Sequence, residues 1–179
     1  MNGYLGIDVG TSSAKALLMG ENGTIIAIAR REYEILRRRP GYAEQDMETI
    51  WQAVKQAVAE ISGRYPAEAA QVRGISFSGQ MHGLVAVDRN GKPVRDAIIW
   101  ADQRVGEKEM DAIYGQAGRE SIHETAMNDL ASGFLLCSLI WMKENEPENY
   151  SRTFQVLLPK DYIRFRMCGR LGTDHSDAS

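Results

Sequence analysis

The stretch YLGIDVGTSSAKALLMG, residues 4–20, decides how this chain is read. Residues 4–9 alternate and are rich in β-forming side chains, and residues 14–19 do the same, so two strands are expected with DVGTSSAK as a tight connection. Gly10 gives such a turn the backbone freedom it needs. Asp8 stands at the end of the first strand, where a carboxylate can reach a Mg²⁺ ion through water, because Mg²⁺ keeps most of its hydration shell. The turn's N–H groups and the hydroxyls of Thr11, Ser12 and Ser13 suit phosphate oxygens, and Lys15 adds a point charge. This is not a Walker loop, which needs G-x-x-x-x-G-K-[ST] between a strand and a helix; here a strand follows. The same residues equally suit an ordinary hairpin with Ser and Thr as turn formers.

Outward from that stretch, Asn22-Gly23 marks a hairpin into a third strand over residues 24–33, which gives a β-meander. Residues 37–46, RRRPGYAEQD, read as a loop in which Arg37, Arg38 and Arg39 form a solvated turn. Asp46 is placed to cap a helix over 47–62 whose Ile50, Trp51, Val54, Ala57, Val58 and Ile61 share one face. Strands are expected at 72–79, at 83–94 around an Asn90-Gly91 turn, and at 97–100 as a short buried segment. Helices are expected over 104–116, through Phe134, Leu135, Ser138, Leu139, Trp141 and Met142 until Pro147 ends it, and over 160–169, closed by Gly169. Hairpin strands followed by alternating strands and helices predict an α/β class with a mixed sheet flanked by helices. The polar end, GRLGTDHSDAS, reads as a loop that breaks off before any element tied down to a core.

Composition narrows the function. A length of 179 residues suits one domain with a real core, and 44% hydrophobic with 25% charged residues is ordinary globular usage. A net charge of −3 offers no basic surplus for nucleic acid or an anionic membrane. That charge also opposes a metal-dependent nuclease, which needs several carboxylates converging with Asp8 and a basic track. Cys137 and Cys168 form neither a metal spacing nor a disulfide framework, so a reducing compartment is expected. The start of the chain has no charged leader with a cleavable apolar stretch, and the apolar run FLLCSLIW is far shorter than the roughly 20 residues of a bilayer span. A soluble cytoplasmic protein is the expectation.

Two more constellations carry chemistry. In SGQMHG, residues 78–83, Gln80 and His82 offer donors and acceptors suited to hydroxyls, and Gly79 and Gly83 let a ligand approach the backbone. A lone histidine also serves often as a plain core or surface residue. In AIIWADQR, residues 97–104, the face of Trp100 beside Asp102, Gln103 and Arg104 suits a polyhydroxylated carbon chain; Asp102 also suits a helix cap.

Taken together, GIDVGTSSAKALL, GYAEQD, SGQMHGLV, AIIWADQR, ENEPENY, VLLPKDYIRFRMCG and GTDHSDAS resemble, in order and over the whole chain, segments of the FGGY carbohydrate kinases. QMHG and LLPKDY favour the xylulokinase branch over the glycerol and gluconate branches. The resemblance implies a ribonuclease H-like fold of the actin, hexokinase and Hsp70 superfamily. It implies that residues 1–179 are the N-terminal domain of a two-domain kinase, cut before the general-base aspartate and the nucleotide domain, and inactive alone. The implied reaction moves the ATP γ-phosphoryl group to D-xylulose with Mg²⁺; the alternatives are another pentulose or polyol, or a sugar-binding module without chemistry. Asp8 is implied as the metal and phosphate support, Gly10, Thr11, Ser12, Ser13 and Lys15 as the nucleotide loop, and Met81 and His82 as the sugar-binding pair. Gln80, Trp100 and Asp102 are implied to line the sugar cleft. Relatives are often dimers, so a homodimer is the oligomeric form to test. The chain departs from the family pattern at Cys137-Ser138, where relatives usually carry Pro-Lys, and at Ala101, where Asn is common.

Overall fold

The computed structural model describes residues 2–175 and Asp177. Ser176, Ala178 and Ser179 of the polar end lie outside the described residues. The chain divides into two compact units, Met1–Ile35 with Asp46–Gln80, and Leu36–Gln45 with Met81–Ser179.

The first unit contains a four-stranded mixed sheet in the order β3-β2-β1-β5. β1 (Gly3–Val9), β2 (Ser13–Gly20) and β3 (Ile25–Glu32) form the expected meander. The first turn is closed by the Gly10 N–H donating to the Ser13 carbonyl at 3.1 Å. In the second turn Gly23 takes φ 83°, and the Asn22 side chain accepts from the Thr24 N–H. β5 (Val72–Gly79) lies parallel to β1, so the strands end together at Val9 and Gly79. The connection to β5 is α1 (Met47–Arg64) and the one-turn α2 (Pro66–Ala69), whose proline sits at the helix start, where no N–H is needed.

α1 buries Met47, Ile50, Ala53, Val54, Ala57 and Ile61 and packs on β2 and β3, covering Ala14, Ala16 and Leu18. Trp51 and Val58 are half-buried on the flank of that face. Asp46 caps the helix as expected, its carboxylate accepting from the Glu48 and Thr49 N–H groups and the Thr49 hydroxyl.

In the second unit, β4 (Glu44–Gln45) pairs antiparallel with β7 (Ala97–Ile98), and β6 (Val85–Val87) pairs antiparallel with β8 (Gln155–Leu157). The helices are α3 (Glu107–Ala117), α4 (Arg119–Ala126), α5 (Leu135–Asn145), α6 (Pro147–Arg152) and α7 (Pro159–Cys168). One apolar cluster gathers Leu84, Ala86, Val94, Ile98 and Met142, and another Val105, Ile113, Ile122 and Cys137. Burial pushes the Cys137 thiol up to about 11, so it behaves as a small apolar side chain.

Several expectations need correcting here. The strand expected over 83–94 is three residues long, because the Asp88 carboxylate accepts from the Asn90 and Lys92 N–H groups and bends the chain. The segment 97–100 is strand only through Ile98, and Trp100 is 50% exposed rather than buried. The loop 37–46 holds β4, with Glu44 and Gln45 buried; Arg37, Arg38 and Arg39 are exposed as expected, and Arg38 also pairs with Asp96 at 2.5 Å and Glu44 at 3.1 Å. Pro147 ends α5 but also begins α6. α3 begins at Glu107 rather than at 104, with Gly106 as its cap.

Replacing Asp46 by Ala strands two helix N–H groups, and a loss of about 1 kcal/mol of stability is expected. Urea unfolding measures it; Asp46→Asn, which keeps an acceptor, should lose less.

Candidate functional site

In the first unit, the sheet register sets Asp8 at the end of β1 between Lys15 of β2 and Ser78 of β5. The Lys15 ammonium meets the Asp8 carboxylate at 3.2 Å, and both side chains remain well exposed to solvent. Ligands of such sheets gather where parallel strands end, and the turn over residues 10–13 leaves from that end. A side chain at Gly10 would put a Cβ 3.1 Å from the Ser13 carbonyl oxygen, so the turn leaves little room for one. Tyr33 braces it from β3's end: its hydroxyl donates to the Gly10 carbonyl at 2.6 Å, and its N–H donates to the Ser12 carbonyl. Burial, then the Asp8 charge, pushes the Tyr33 hydroxyl well above the ordinary tyrosine range, so it stays a donor.

Thr11 is half-buried and Ser12 exposed, whereas Ser13 is buried and contributes its carbonyl to the turn. Gln80 follows β5 and is buried, its N–H donating to the Val9 carbonyl at 2.8 Å. Among the described residues no cluster of three His, Cys, Asp or Glu side chains is arranged for a metal. One open carboxylate beside loop hydroxyls fits Mg²⁺ held largely through water and phosphate oxygens, and does not fit an ion caged by protein.

In the second unit, Met81 is exposed and His82 is half-buried with φ 65°, in the left-handed region that histidine enters more readily than most residues. Gly83 follows where a Cβ would press on the Pro159 ring at 3.0 Å. The His82 ring stacks on Phe134, with centroids 4.1 Å apart and planes 20° from parallel. Both line a cavity of about 380 Å³ walled by Leu130, Leu157, Asp161 and Thr173, among others, and by Asp177. Burial holds the His82 imidazole below its usual 6.5, with the Asp177 charge opposing, because taking the cation out of water costs more than the carboxylate returns.

Beside it, the buried Lys160 ammonium lies 3.1 Å from Asp161, 2.7 Å from Asp174 and 3.1 Å from Asp177. Burial opposes the charge on Lys160, but the three carboxylates outweigh it and raise the ammonium above its usual range. The sequence reading missed Lys160 and Asp161, and it assigned Phe134 only to a helix face; the charged pair after Pro159 was the available signal.

Asp102 is a correction. Its side chain is fully buried, and its oxygens accept from the Ala43 N–H at 2.6 Å and from the Arg104 backbone and guanidinium at 2.8–2.9 Å. It therefore faces protein, and it caps no helix, since Gly106 is the cap of α3. Arg104 is equally enclosed: it pairs with Glu44 at 2.6 Å and lies over the rings of Tyr42 at 3.8 Å and Trp141 at 4.5 Å. Burial opposes its charge, and Asp102 and Glu44 more than restore it. Arg95 bonds the same Glu44 carboxylate. Of the AIIWADQR residues put forward for the cleft, Trp100 and Gln103 stay open to solvent, whereas the side chains of Asp102 and Arg104 are enclosed. Cys137 and Ser138 are fully buried, and neither lines the cavity beside His82.

The family model for the N-terminal domain of the FGGY family of carbohydrate kinases matches residues 3–179. The chain belongs to this family. The FGGY chain is 38% identical over 181 residues to the xylulose kinase of Bacillus subtilis (strain 168), covering 100% of this chain and 36% of that protein. To the xylulose kinase of Lactococcus lactis subsp. lactis (strain IL1403) it is 41% identical over 179 residues, covering 100% and 35%. The crystal structure of a xyloylose kinase from Brucella ovis matches with a TM-score of 0.86 at 34% identity, over 92% of this chain and 34% of that one. The FGGY chain thus spans about a third of the length of the curated relatives it matches. No described helix is long and apolar enough to cross a membrane.

Asp102→Ala leaves the buried Arg104 charge with half its carboxylate partners, and a loss of about 3–5 kcal/mol is expected. Denaturant unfolding followed by tryptophan fluorescence measures it. His82 is expected to titrate below 6.5 by nuclear magnetic resonance; a midpoint above 6.5 would mean its ring is not desolvated as described.

Proposed function

We propose that this FGGY chain is the N-terminal domain of a xylulokinase that transfers the ATP γ-phosphoryl group to the terminal hydroxyl of D-xylulose, giving D-xylulose 5-phosphate. The observation that carries the substrate side is His82, neutral at pH 7 and set at a cavity that offers carboxylates, a hydroxyl and apolar walls. A neutral imidazole has one donor and one acceptor nitrogen, which matches a ketose hydroxyl better than an anion or a cation. The identity to xylulose kinases of two bacteria, which runs along the whole of this chain and about a third of theirs, supports the choice of sugar.

Phosphoryl transfer is mainly positioning and charge stabilisation. On this reading Gly10, Thr11, Ser12, Ser13 and Lys15 form the loop that holds the terminal phosphates, with Ser13 acting through its backbone, and Asp8 supports the hydrated metal. Mg²⁺ bound with the nucleotide neutralises charge on the β- and γ-phosphates. Met81 and His82 hold the sugar, Gln80 and Trp100 are assigned to it as well, and Asp102 anchors the Trp100 turn. The sugar oxygen attacks the γ-phosphorus as ADP leaves, and its proton passes to a carboxylate base that we assign, with the nucleotide domain, to sequence beyond residue 179. The enzyme works in the cytoplasm, and a homodimer is its expected assembly.

The test is ATP turnover with Mg²⁺ and D-xylulose, D-ribulose, L-ribulose or glycerol, by these 179 residues and by the complete kinase. The complete kinase is expected to form ADP with D-xylulose, and the 179-residue chain none. Turnover by the short chain would put the base within it and overturn the assignment. In the complete kinase, Tyr33→Phe should raise the ATP KM severalfold and leave the D-xylulose KM unchanged, because the hydroxyl braces only the Gly10 turn.

A further inference from the structure

Neither the resemblance nor the comparisons give a role to the residue stacked on His82. The backbone at His82 is fixed by its left-handed turn, but the turn does not fix the imidazole plane. The torsion that rotates an imidazole is broad, so a half-exposed ring samples many directions unless something flat meets it. Here that surface is the Phe134 ring, 4.1 Å away and nearly parallel. Stacking covers a face of the imidazole and leaves its edge, where both nitrogens lie, open to hydrogen bonds. Phenylalanine has no polar atom to compete for them.

Phe134 is itself held on three sides. Its N–H donates to the Ala131 carbonyl at 3.0 Å, and its carbonyl accepts from the Ser138 N–H at 3.0 Å as α5 begins. Its ring packs against the cluster of Val105, Ile113, Ile122 and Cys137. Just before it, Gly133 lies so close to the Trp100 turn that an added Cβ would sit 1.9 Å from the Trp100 carbonyl oxygen. The turn at Trp100 thereby sets where Phe134 begins, and Phe134 sets the plane of His82.

We infer that Phe134 is a positioning residue for sugar recognition: its ring fixes the imidazole plane of His82 and so the directions in which the two nitrogens meet the ketose hydroxyls. This rests on the reading of His82 as a sugar ligand given above. A purely structural role would be filled by any side chain of similar volume, since the core cluster needs only apolar contact. A positioning role needs a flat ring.

The experiment measures D-xylulose binding by calorimetry, and KM for D-xylulose and for ATP, in the complete kinase with Phe134→Leu, Phe134→Met, Phe134→Tyr and His82→Ala. The Leu and Met variants both keep apolar volume, so misfolding of one leaves the other to decide. Each is expected to weaken D-xylulose binding about five- to tenfold with the ATP KM unchanged, while the Tyr variant stays within about twofold of the parent. Parent-like binding by the Leu and Met variants, or equal loss in the Tyr variant, overturns the inference while a weakened His82→Ala leaves the functional reading standing. Unchanged binding in His82→Ala overturns both.

Discussion

A guanidinium sealed from water organises the second unit. Arg104 cannot lose its proton at any accessible pH, so its burial is tolerable only if opposite charge and ring faces surround it. Asp102, Glu44, Tyr42 and Trp141 meet that demand, and they come from three separate stretches of chain. β4 and β7 are two residues each, too short to hold by ladder bonds alone, and the Glu44 carboxylate within β4 is what Arg95 and Arg104 both grip. The Trp100 turn, and through Gly133 the start of α5, inherit their positions from this cluster.

The first unit was legible because its signals are local. Alternation over residues 4–19, Asn22-Gly23, the Asp46 cap and the helical spacing from Ile50 to Ile61 each act within a few residues, and the structure follows them. The second unit's strands are two or three residues long and pair across wide separations, Glu44 with Ile98 and Val85 with Leu157, so no periodicity announces them. Pro147 shows another limit: it was read as a stop, but a proline that cannot continue one helix is well suited to begin the next.

The site was legible by residue type and less so by role. Asp8, Lys15 and Gly10 stand at a strand end and turn, where the spacing put them. Asp102 carries the residue type of a ligand, yet its carboxylate is consumed by Arg104, two residues on, and by the Ala43 N–H; sequence alone does not tell an anchoring carboxylate from a recognising one. Phe134 was hidden by being ordinary, an apolar residue at a helix start whose partner lies over fifty positions away.

Lys160 has a consequence for what the cavity beside it admits. One ammonium set among Asp161, Asp174 and Asp177 leaves that wall with two negative charges in excess. Two of those carboxylates also face the cavity. An uncharged polyol meets no net repulsion there and finds abundant acceptors for its hydroxyls, while a molecule bearing a phosphate is pushed away. Charge on that wall therefore sorts molecules by sign rather than by shape, being kinder to a neutral guest than to an anionic one.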